Sequence, residues 1–202
     1  MPLAPVNWSG LSLAVGVSVA ESLQPVLPPA GGAVPRVGLK WPNDLWLGGR
    51  GGDRKLGGIL VETASFVVPQ GATAGGGPAG GGRPWGGGGG PRGAAPPGGG
   101  AGPPQPGEGM SLPPGSLQEV EDGLDAPAAL LRVAAPLVGM LQSFAAYGFA
   151  PMQPRFALRD VLQGRTVQLS DGTSGMAHGV GEDGALLVHT AGGMLPITSS
   201  EI

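Results

Sequence analysis

Two neighbouring segments decide how this chain folds: LKWPNDL at residues 39–45 and RKLGGILVE at residues 54–62. Each joins an apolar extended run to a turn or a glycine pair, a pattern that predicts adjacent strands. The two segments hold both lysines of the chain, Lys40 and Lys55. In the window 36–62, 8 of 27 residues are charged, against 12% of the whole chain. This window is therefore where we expect the chemistry.

The residue types in this window suit the binding of an anion. An ammonium beside glycine-lined backbone fits a carboxylate or a phosphate, and Gly57 and Gly58 let a ligand approach the main chain closely. Asn43 and Asp44 offer an amide and a carboxylate for a nucleotide or a hydrated Mg²⁺. A charged hairpin with a glycine bulge and solvated lysines explains the same composition, so both readings stay open at this point.

The sequence around these segments predicts an α+β fold. A helix is expected over 9–24, with Ser9 as its N-cap. Strands are expected at 37–41, 45–47 and 55–63, and 66–68 extends the same sheet. A second helix is expected from its cap at Asp125 to Tyr147. Its predicted buried stripe comprises Leu130, Leu131, Ala134, Leu137, Val138, Leu141 and Phe144, and Pro136 is expected to kink it.

The last 40 residues change character and predict a second, small β domain. Short apolar runs at 166–169, 175–180, 185–189 and 194–197 alternate with turns, two of them Asp-Gly pairs. This spacing is typical of a small antiparallel barrel or sheet. We therefore place one domain at 1–150 and another at 155–202.

Glycine and proline are concentrated between these parts. The chain has 42 Gly and 23 Pro, and residues 71–109 alone hold 19 and 8 of them. The block has no Gly-X-Y repeat, so it is not a collagen-like segment. The block cannot bury enough apolar surface to offset its ordering entropy, so we expect disorder over about 70–115.

Charge and cysteine content limit the classes of function. The net charge is −3, without a basic or acidic run, which argues against nucleic acid or an anionic membrane surface as a partner. No 18 consecutive apolar residues and no signal-peptide pattern occur, so neither a membrane span nor secretion is expected. The absence of Cys excludes thiolate zinc sites and thiol nucleophiles. A cytoplasmic location is the default expectation.

Taken together, the two opening segments strongly resemble biotin protein ligases, which attach biotin to a carboxyl-carrier domain. The resemblance rests on KWPND followed by KL-x-GIL-x-E, and extends over residues 9–68 and 124–202. It implies a class II synthetase-like catalytic domain, with a partial mixed or antiparallel sheet, and a C-terminal SH3-like β-barrel. The implied reaction converts biotin and ATP to biotinyl-AMP, which a carrier lysine then attacks.

The resemblance also implies roles for particular residues. Lys55 would be catalytic and would contact the biotin carboxylate and the adenylate phosphate, with Gly57 and Gly58 lining the biotin pocket. Lys40, Asn43 and Asp44 would bind the nucleotide, and Asp44 would reach Mg²⁺. The implied partner is the biotin carboxyl-carrier domain of acetyl-CoA carboxylase, and a homodimer is compatible with the resemblance. Three further residue types are expected outside the chemistry: Trp41 packs, His178 and His189 lie at the surface, and Arg165 is structural or helps hold nucleotide or carrier.

The chain departs from the family pattern at two places. The GRGRxGR loop expected before the first helix has no match, and Pro69-Gln70 and the Gly/Pro block stand where a GxGxN strand is expected. The helix-turn-helix of bifunctional members is also absent, which predicts no repressor role. Three readings follow: a ligase, a catalytically impaired remnant that binds ligand or carrier, and a gene-level artefact at 70–109.

Overall fold

The structure, a computed structural model, describes Pro5 and residues 7–49, 52–62 and 114–199. All of these except Glu62 belong to one compact unit formed by Met1–Val61 and Pro103–Ile202. The strand expected at 66–68 and almost the whole segment expected to be disordered lie outside the described residues.

The first layer of the fold is a helix packed on a three-stranded antiparallel sheet. Helix α1 spans Leu11–Leu23, and the strands are β1 Arg36–Lys40, β2 Asp44–Gly48 and β3 Arg54–Gly58, in the order β1-β2-β3. The predicted helix and strands are thus present, but β3 is shorter than expected. The apolar side chains of β1 and β2 alternate toward the core, where they meet α1.

The predicted N-cap of α1 is wrong. Gly10 occupies the cap position with φ 75° and makes no side-chain cap bond, while the Ser9 backbone N–H donates to Asn7 Oδ1 at 2.8 Å. A side chain at residue 10 would also collide with Phe149, whose Cβ lies 2.7 Å from the position a Cβ would take. Close packing rather than capping chemistry therefore fixes the start of α1.

The second helix, α2, has the predicted bounds but buries a different face. It spans Ala126–Tyr147, and the Asp125 side chain accepts from the Ala128 N–H as predicted. Its buried residues are Ala129, Met140 and Phe144. Four members of the predicted stripe are exposed instead: Leu130 by 67%, Leu131 by 80% and Val138 by 51%, together with Ala134.

Helix α2 is apolar on more than one side. By length and composition it could cross a membrane, although the core helix of a soluble protein passes the same test. Only 17% of its most apolar stretch is buried, and that part packs in the main core through Met140 and Phe144. The prediction that the chain has no membrane partner therefore stays a prediction.

The C-terminal strands lie where the sequence predicts them. After the short helix α3, Gln153–Ala157, come β4 Thr166–Gln168, β5 Ser174–Val180, β6 Leu186–Thr190 and β7 Gly193–Ile197. They form an antiparallel sheet in sequence order. This sheet is consistent with an SH3-like domain, and its closure into a barrel stays a prediction, as does the division into domains 1–150 and 155–202.

The segment between α3 and β4 covers the outer edge of β1. Leu39 N–H donates to the Arg159 carbonyl at 2.7 Å, and the Leu39 carbonyl accepts from Val161 N–H at 3.0 Å. On the same edge, Val37 N–H donates to Gln24 Oε1 at 2.9 Å, and the Val37 carbonyl accepts from the Arg159 guanidinium at 3.0 Å. All four polar groups on this buried edge are therefore paired.

Gly38 is the point where this covering segment comes closest to the sheet. A Cβ at Gly38 would lie 2.4 Å from Val161 Cγ1 and 3.2 Å from the Arg159 carbonyl oxygen. We expect Gly38→Ala to lower the free energy of unfolding by about 1–3 kcal/mol, because the added methyl overpacks the contact. Chemical denaturation of the full chain measures this loss.

Two companion variants test the cause. Gly57→Ala adds a methyl where nothing lies within 4 Å, so it should cost less than Gly38→Ala. Val161→Ala in the Gly38→Ala background should recover part of the loss, as a double-mutant cycle reveals. Strict additivity of the Gly38 and Val161 changes would contradict the proposed clash.

Candidate functional site

The first sheet has a polar face opposite the one that packs on α1. Strand register pairs Lys40 with Asp44, and Trp46 with Lys55 across a bulge. Because alternate residues of a strand share a face, the side chains of Lys40, Asp44, Trp46 and Lys55 lie on this face. The structure thus brings both lysines and the predicted carboxylate together. We call these four residues the lysine face.

An ion pair stands at one end of the lysine face. Lys55 Nζ lies 2.8 Å from Asp44 Oδ1, and the two side chains are 52% and 19% exposed. Gly58 borders the pair: a Cβ there would lie 3.4 Å from Asp44 Oδ1 and 3.7 Å from Lys55 Nζ. The ammonium is therefore accessible to an incoming anion, and the backbone beside it carries no side chain that would obstruct the approach.

Trp46 lies between the two lysines and was not singled out from the sequence. Lys40 Nζ is 5.1 Å from the centroid of its ring, within the range of a cation–π contact. Its indole Nε1 is buried and has no hydrogen-bond partner among the described residues. Strand alternation from Asp44 to Trp46 is the signal that could have identified it.

An open cleft of about 470 Å³ adjoins this part of the lysine face. Its lining includes Lys40 and Trp46 from the sheet, and Leu162, Arg165, Val167 and Gln168 from the segment leading into and through β4. The cleft therefore has a cation, an aromatic ring and apolar side chains at its wall, which is the usual composition of a small-molecule site.

Asn43 and Gly57 are placed differently from the other predicted site residues. The Asn43 side-chain amide donates to the Ile59 carbonyl at 3.0 Å, and the Asn43 carbonyl accepts from Ile59 N–H at 2.8 Å. Asn43 thus fixes the β1–β2 turn, which contains a cis Trp41–Pro42 bond, to the end of β3. Gly57 pairs with Leu45, a residue of the buried face, so it does not share a face with Gly58.

The expectations for four residues outside the site can be compared with the structure. Trp41 is 2% exposed and donates from Nε1 to the Gly184 carbonyl at 3.0 Å, which confirms that it packs. His178 and His189 are exposed as predicted. Arg165 pairs with Asp53, a link from the β2–β3 connection to the start of β4 that favours the structural role.

A buried carboxyl lies at the join between the two sheets. Asp160 Oδ1 accepts from Leu162 N–H at 2.8 Å, whereas its Oδ2 is buried without a partner among the described residues. Burial raises the pKa of Asp160, although the N–H groups of Leu162 and Gln163 and the charge of Arg165 oppose the rise. The ionised form is therefore penalised in the folded protein.

This penalty predicts a pH dependence of stability. A carboxyl whose pKa is raised by folding binds more protons in the native state, so the free energy of unfolding falls as pH rises between the unfolded and folded pKa values. We expect Asp160→Asn to be more stable than the wild type at pH 7. The gain should shrink as pH falls toward about 4, the ordinary range of aspartate. Urea denaturation at both pH values measures it.

Asp171 supplies a control of opposite sign. Hydrogen bonds from Thr173 lower the pKa of its carboxyl, so Asp171→Asn should lose stability at pH 7 and approach the wild type at low pH. A gain for Asp160→Asn that is the same at every pH would contradict the burial argument.

The residues described here contain no group of three or more His, Cys, Asp or Glu side chains that could hold a metal ion. Asp44 is a single carboxylate already paired with Lys55. One carboxylate fits Mg²⁺ in the mode in which nucleotide phosphates and water supply the remaining ligands, and it does not fit a metal cage built from protein alone.

Comparisons with known proteins give the same family name that the sequence suggested. A biotin–[acetyl-CoA-carboxylase] ligase of Mycobacterium tuberculosis is 50% identical over 64 residues, which are 30% of this chain and 21% of that relative. The bifunctional ligase/repressor BirA of Escherichia coli is 45% identical over 58 residues, 29% of this chain and 15% of that protein. No family model matches the chain.

Solved structures support the fold over nearly the whole chain. A biotin protein ligase from Aquifex aeolicus superposes with a TM-score of 0.63 at 20% identity, covering 96% of this chain and 74% of that one. The same enzyme in complex with biotin and ATP gives a TM-score of 0.63 at 21% identity, with 97% and 71% covered.

The resemblance to biotin protein ligases is therefore confirmed over part of the chain, and the predicted fold class is confirmed by the structural neighbours. The matched stretch spans about a fifth of the first curated relative.

Proposed function

We propose that this chain binds biotin and ATP at the lysine face and forms biotinyl-AMP, from which biotin passes to a lysine of a biotin carboxyl-carrier domain. The observation that carries the proposal is the pairing of an accessible Lys55 ammonium with Asp44 at 2.8 Å, beside a glycine backbone and an open cleft. It is supported by relatives named as biotin ligases and by a structural neighbour that binds biotin and ATP.

In the proposed reaction a biotin carboxylate oxygen attacks the α-phosphorus of ATP. The new O–P bond replaces the bond to the β-phosphate oxygen, and pyrophosphate leaves. The neutral amine of a carrier lysine then attacks the biotinyl carbonyl and displaces AMP, and the proton lost from nitrogen passes to solvent. No covalent enzyme intermediate is formed, in agreement with a chain that has no Cys.

Lys55 would neutralise negative charge during adenylation, first as the biotin carboxylate approaches ATP and then as the O–P bond forms. Two anions repel each other as the carboxylate approaches the phosphate, and an ammonium held between them offsets that repulsion. Asp44 contacts Lys55 Nζ and would keep the ammonium positioned until the ligands arrive. A Mg²⁺ ion on the nucleotide phosphates would supply further neutralising charge, with Asp44 as its protein ligand.

The nucleotide would occupy the cleft beside Lys40 and Trp46. Lys40 would meet a phosphate, and the orphaned indole N–H of Trp46 would donate to an acceptor on the ligand. Asn43 would contribute by fixing the turn that presents Asp44. Gly57 lies on the other face, so its proposed contact with biotin would come from the backbone at the strand edge.

Trp46→Phe tests this placement of the nucleotide. It keeps an aromatic ring near Lys40 and removes the N–H, so we expect ATP affinity to fall roughly 3- to 10-fold, the effect of one neutral hydrogen bond. Removing an unpaired buried donor stabilises the folded chain, and this gain offsets the packing lost with the smaller ring. The free energy of unfolding of the free chain should therefore not fall by more than about 1 kcal/mol. Calorimetric titration with ATP measures the first and denaturation the second; unchanged ATP affinity would contradict the placement.

Three measurements on the full 202-residue chain test the function. Calorimetry measures the binding of biotin and of ATP. Formation of labelled biotinyl-AMP from labelled ATP measures adenylation, and biotinylation of a purified carrier domain measures biotin transfer. Binding with product formation supports a ligase. Binding of both ligands without product supports the impaired remnant, and binding of neither overturns both readings.

A further inference from the structure

The outward face of the C-terminal sheet gathers four side chains that the proposed function does not use. Register places Met176 on β5 opposite His189 on β6, and His189 opposite Met194 on β7. His178 follows Met176 by two residues on β5, so it lies on the same face. The result is a compact Met-His-Met row across three strands, with a second imidazole beside it.

The four side chains are exposed on one face of the sheet, and the two imidazole rings contact each other. Met176 is 45% and Met194 is 51% exposed. The rings of His178 and His189 are edge-to-face, with centroids 5.8 Å apart. They are the only two histidines of the chain. By contrast, Met140 and Met152 are 6% and 5% exposed and fill the core, which is the ordinary use of methionine.

The donor set of this row is soft and neutral. It offers two thioether sulfurs and two imidazoles, and none of the four residues carries a carboxylate or thiolate. Hard cations such as Mg²⁺ and Ca²⁺ need oxygen ligands, and Zn²⁺ sites use Cys, His and carboxylate donors. Thioether sulfur suits soft ions such as Cu(I), and imidazole binds both copper and Zn²⁺. With two thioethers and no thiolate or carboxylate, the set favours Cu(I) over Zn²⁺.

We infer that Met176, His178, His189 and Met194 form a surface site for one soft monovalent metal ion, Cu(I). Directly opposed residues have Cβ atoms about 4.5–5.5 Å apart, so a methionine on each side can fold its sulfur over the central His189. Methionine has three rotatable side-chain bonds and adapts without backbone movement. The inference does not depend on the ligase reaction, because the site lies on a different sheet from the lysine face.

The test is an anaerobic titration of the full chain with Cu(I) in competition with a chromophoric Cu(I) chelator. We expect one Cu(I) per chain, and an X-ray absorption spectrum with both sulfur and nitrogen neighbours. Met176→Leu, Met194→Leu and His189→Asn should each weaken Cu(I) binding more than roughly 10-fold, the least that loss of even an outer partner produces at metal sites. Zn²⁺ should not compete.

Met140→Leu is the matched control, since it removes a thioether from the core and should leave Cu(I) affinity unchanged. Circular dichroism and denaturation check that each variant is folded, which the exposure of the substituted positions favours. The assignment is overturned if the chelator removes all Cu(I) from the wild type, if the surface methionine variants bind as tightly as Met140→Leu, or if Zn²⁺ binds equally well.

Discussion

Lys55→Met is expected to reduce biotinyl-AMP formation by about 100-fold or more, the loss seen when a single positioned donor is removed from a developing anion. The methionine keeps the length and apolar stem of the side chain and removes only its charge. Biotin affinity should fall in parallel, because in the proposed function the same ammonium would meet the biotin carboxylate before the reaction. Single-turnover formation of labelled biotinyl-AMP and calorimetric titration with biotin measure the two effects.

Instability would not explain such a loss. The Lys55–Asp44 pair is partly exposed, and pairs of this kind contribute about 0–1 kcal/mol, so the variant should fold normally. Arg132→Met is the matched control: Arg132, on α2, forms an exposed ion pair with Glu121, and removal of its charge should leave adenylation unchanged. If the wild type forms product and Lys55→Met forms it at the same rate, Lys55 is not the catalytic residue, even though the ligase function would stand.

How far the sequence predicts the candidate site depends on the type of signal. Lys40 and Asp44 fall on one face because strand alternation and the single turn between β1 and β2 determine their positions, and these are local features. The pairing of Lys55 with Asp44 required the register of β2 and β3, including a bulge between Leu45 and Trp46. A bulge shifts which residues share a face, and this shift places Gly58, rather than Gly57, on the face of Lys55.

For helix α2, the sequence predicts the bounds but not the face that is buried. The bounds of α2 follow from Asp125 and Gly148, whose roles as caps are local. Its buried face does not follow, because alanine, leucine and valine surround the helix and periodicity cannot choose among several apolar sides. The side that is buried is the one that meets α1, through Met140 and Phe144. Contacts between distant segments determine that choice.

The hydrogen bonds of Gln24 and Arg159 on the outer edge of β1 could not be predicted from the sequence. Gln24, just after α1, binds both neighbours of Arg36: its Nε2 donates to the Pro35 carbonyl at 2.9 Å, and its Oε1 accepts from Val37 N–H at 2.9 Å. Arg159 donates to the Gln24 carbonyl at 2.5 Å and to the Val37 carbonyl at 3.0 Å. An edge strand buried in this way needs partners that side chains must supply.

Arg159→Met is therefore expected to lower the free energy of unfolding by about 2–5 kcal/mol. The Arg159 residue is 5% exposed, and the variant leaves two buried carbonyls, on Val37 and Gln24, without their donor. Each unsatisfied buried acceptor costs about 1–3 kcal/mol. Methionine fills most of the vacated volume, so the loss reports on the hydrogen bonds more than on packing. Urea denaturation of the wild type and the variant measures it.

Arg155→Met separates this effect from the removal of any arginine near α3. Arg155 pairs with Glu21 at the surface, with side chains 45% and 30% exposed, so its loss should cost no more than about 1 kcal/mol. Both variants remove one positive charge from nearly the same place, but only Arg159 donates a hydrogen bond to β1. Equal destabilisation by the two would show that charge, and not the satisfaction of the strand edge, makes Arg159 necessary.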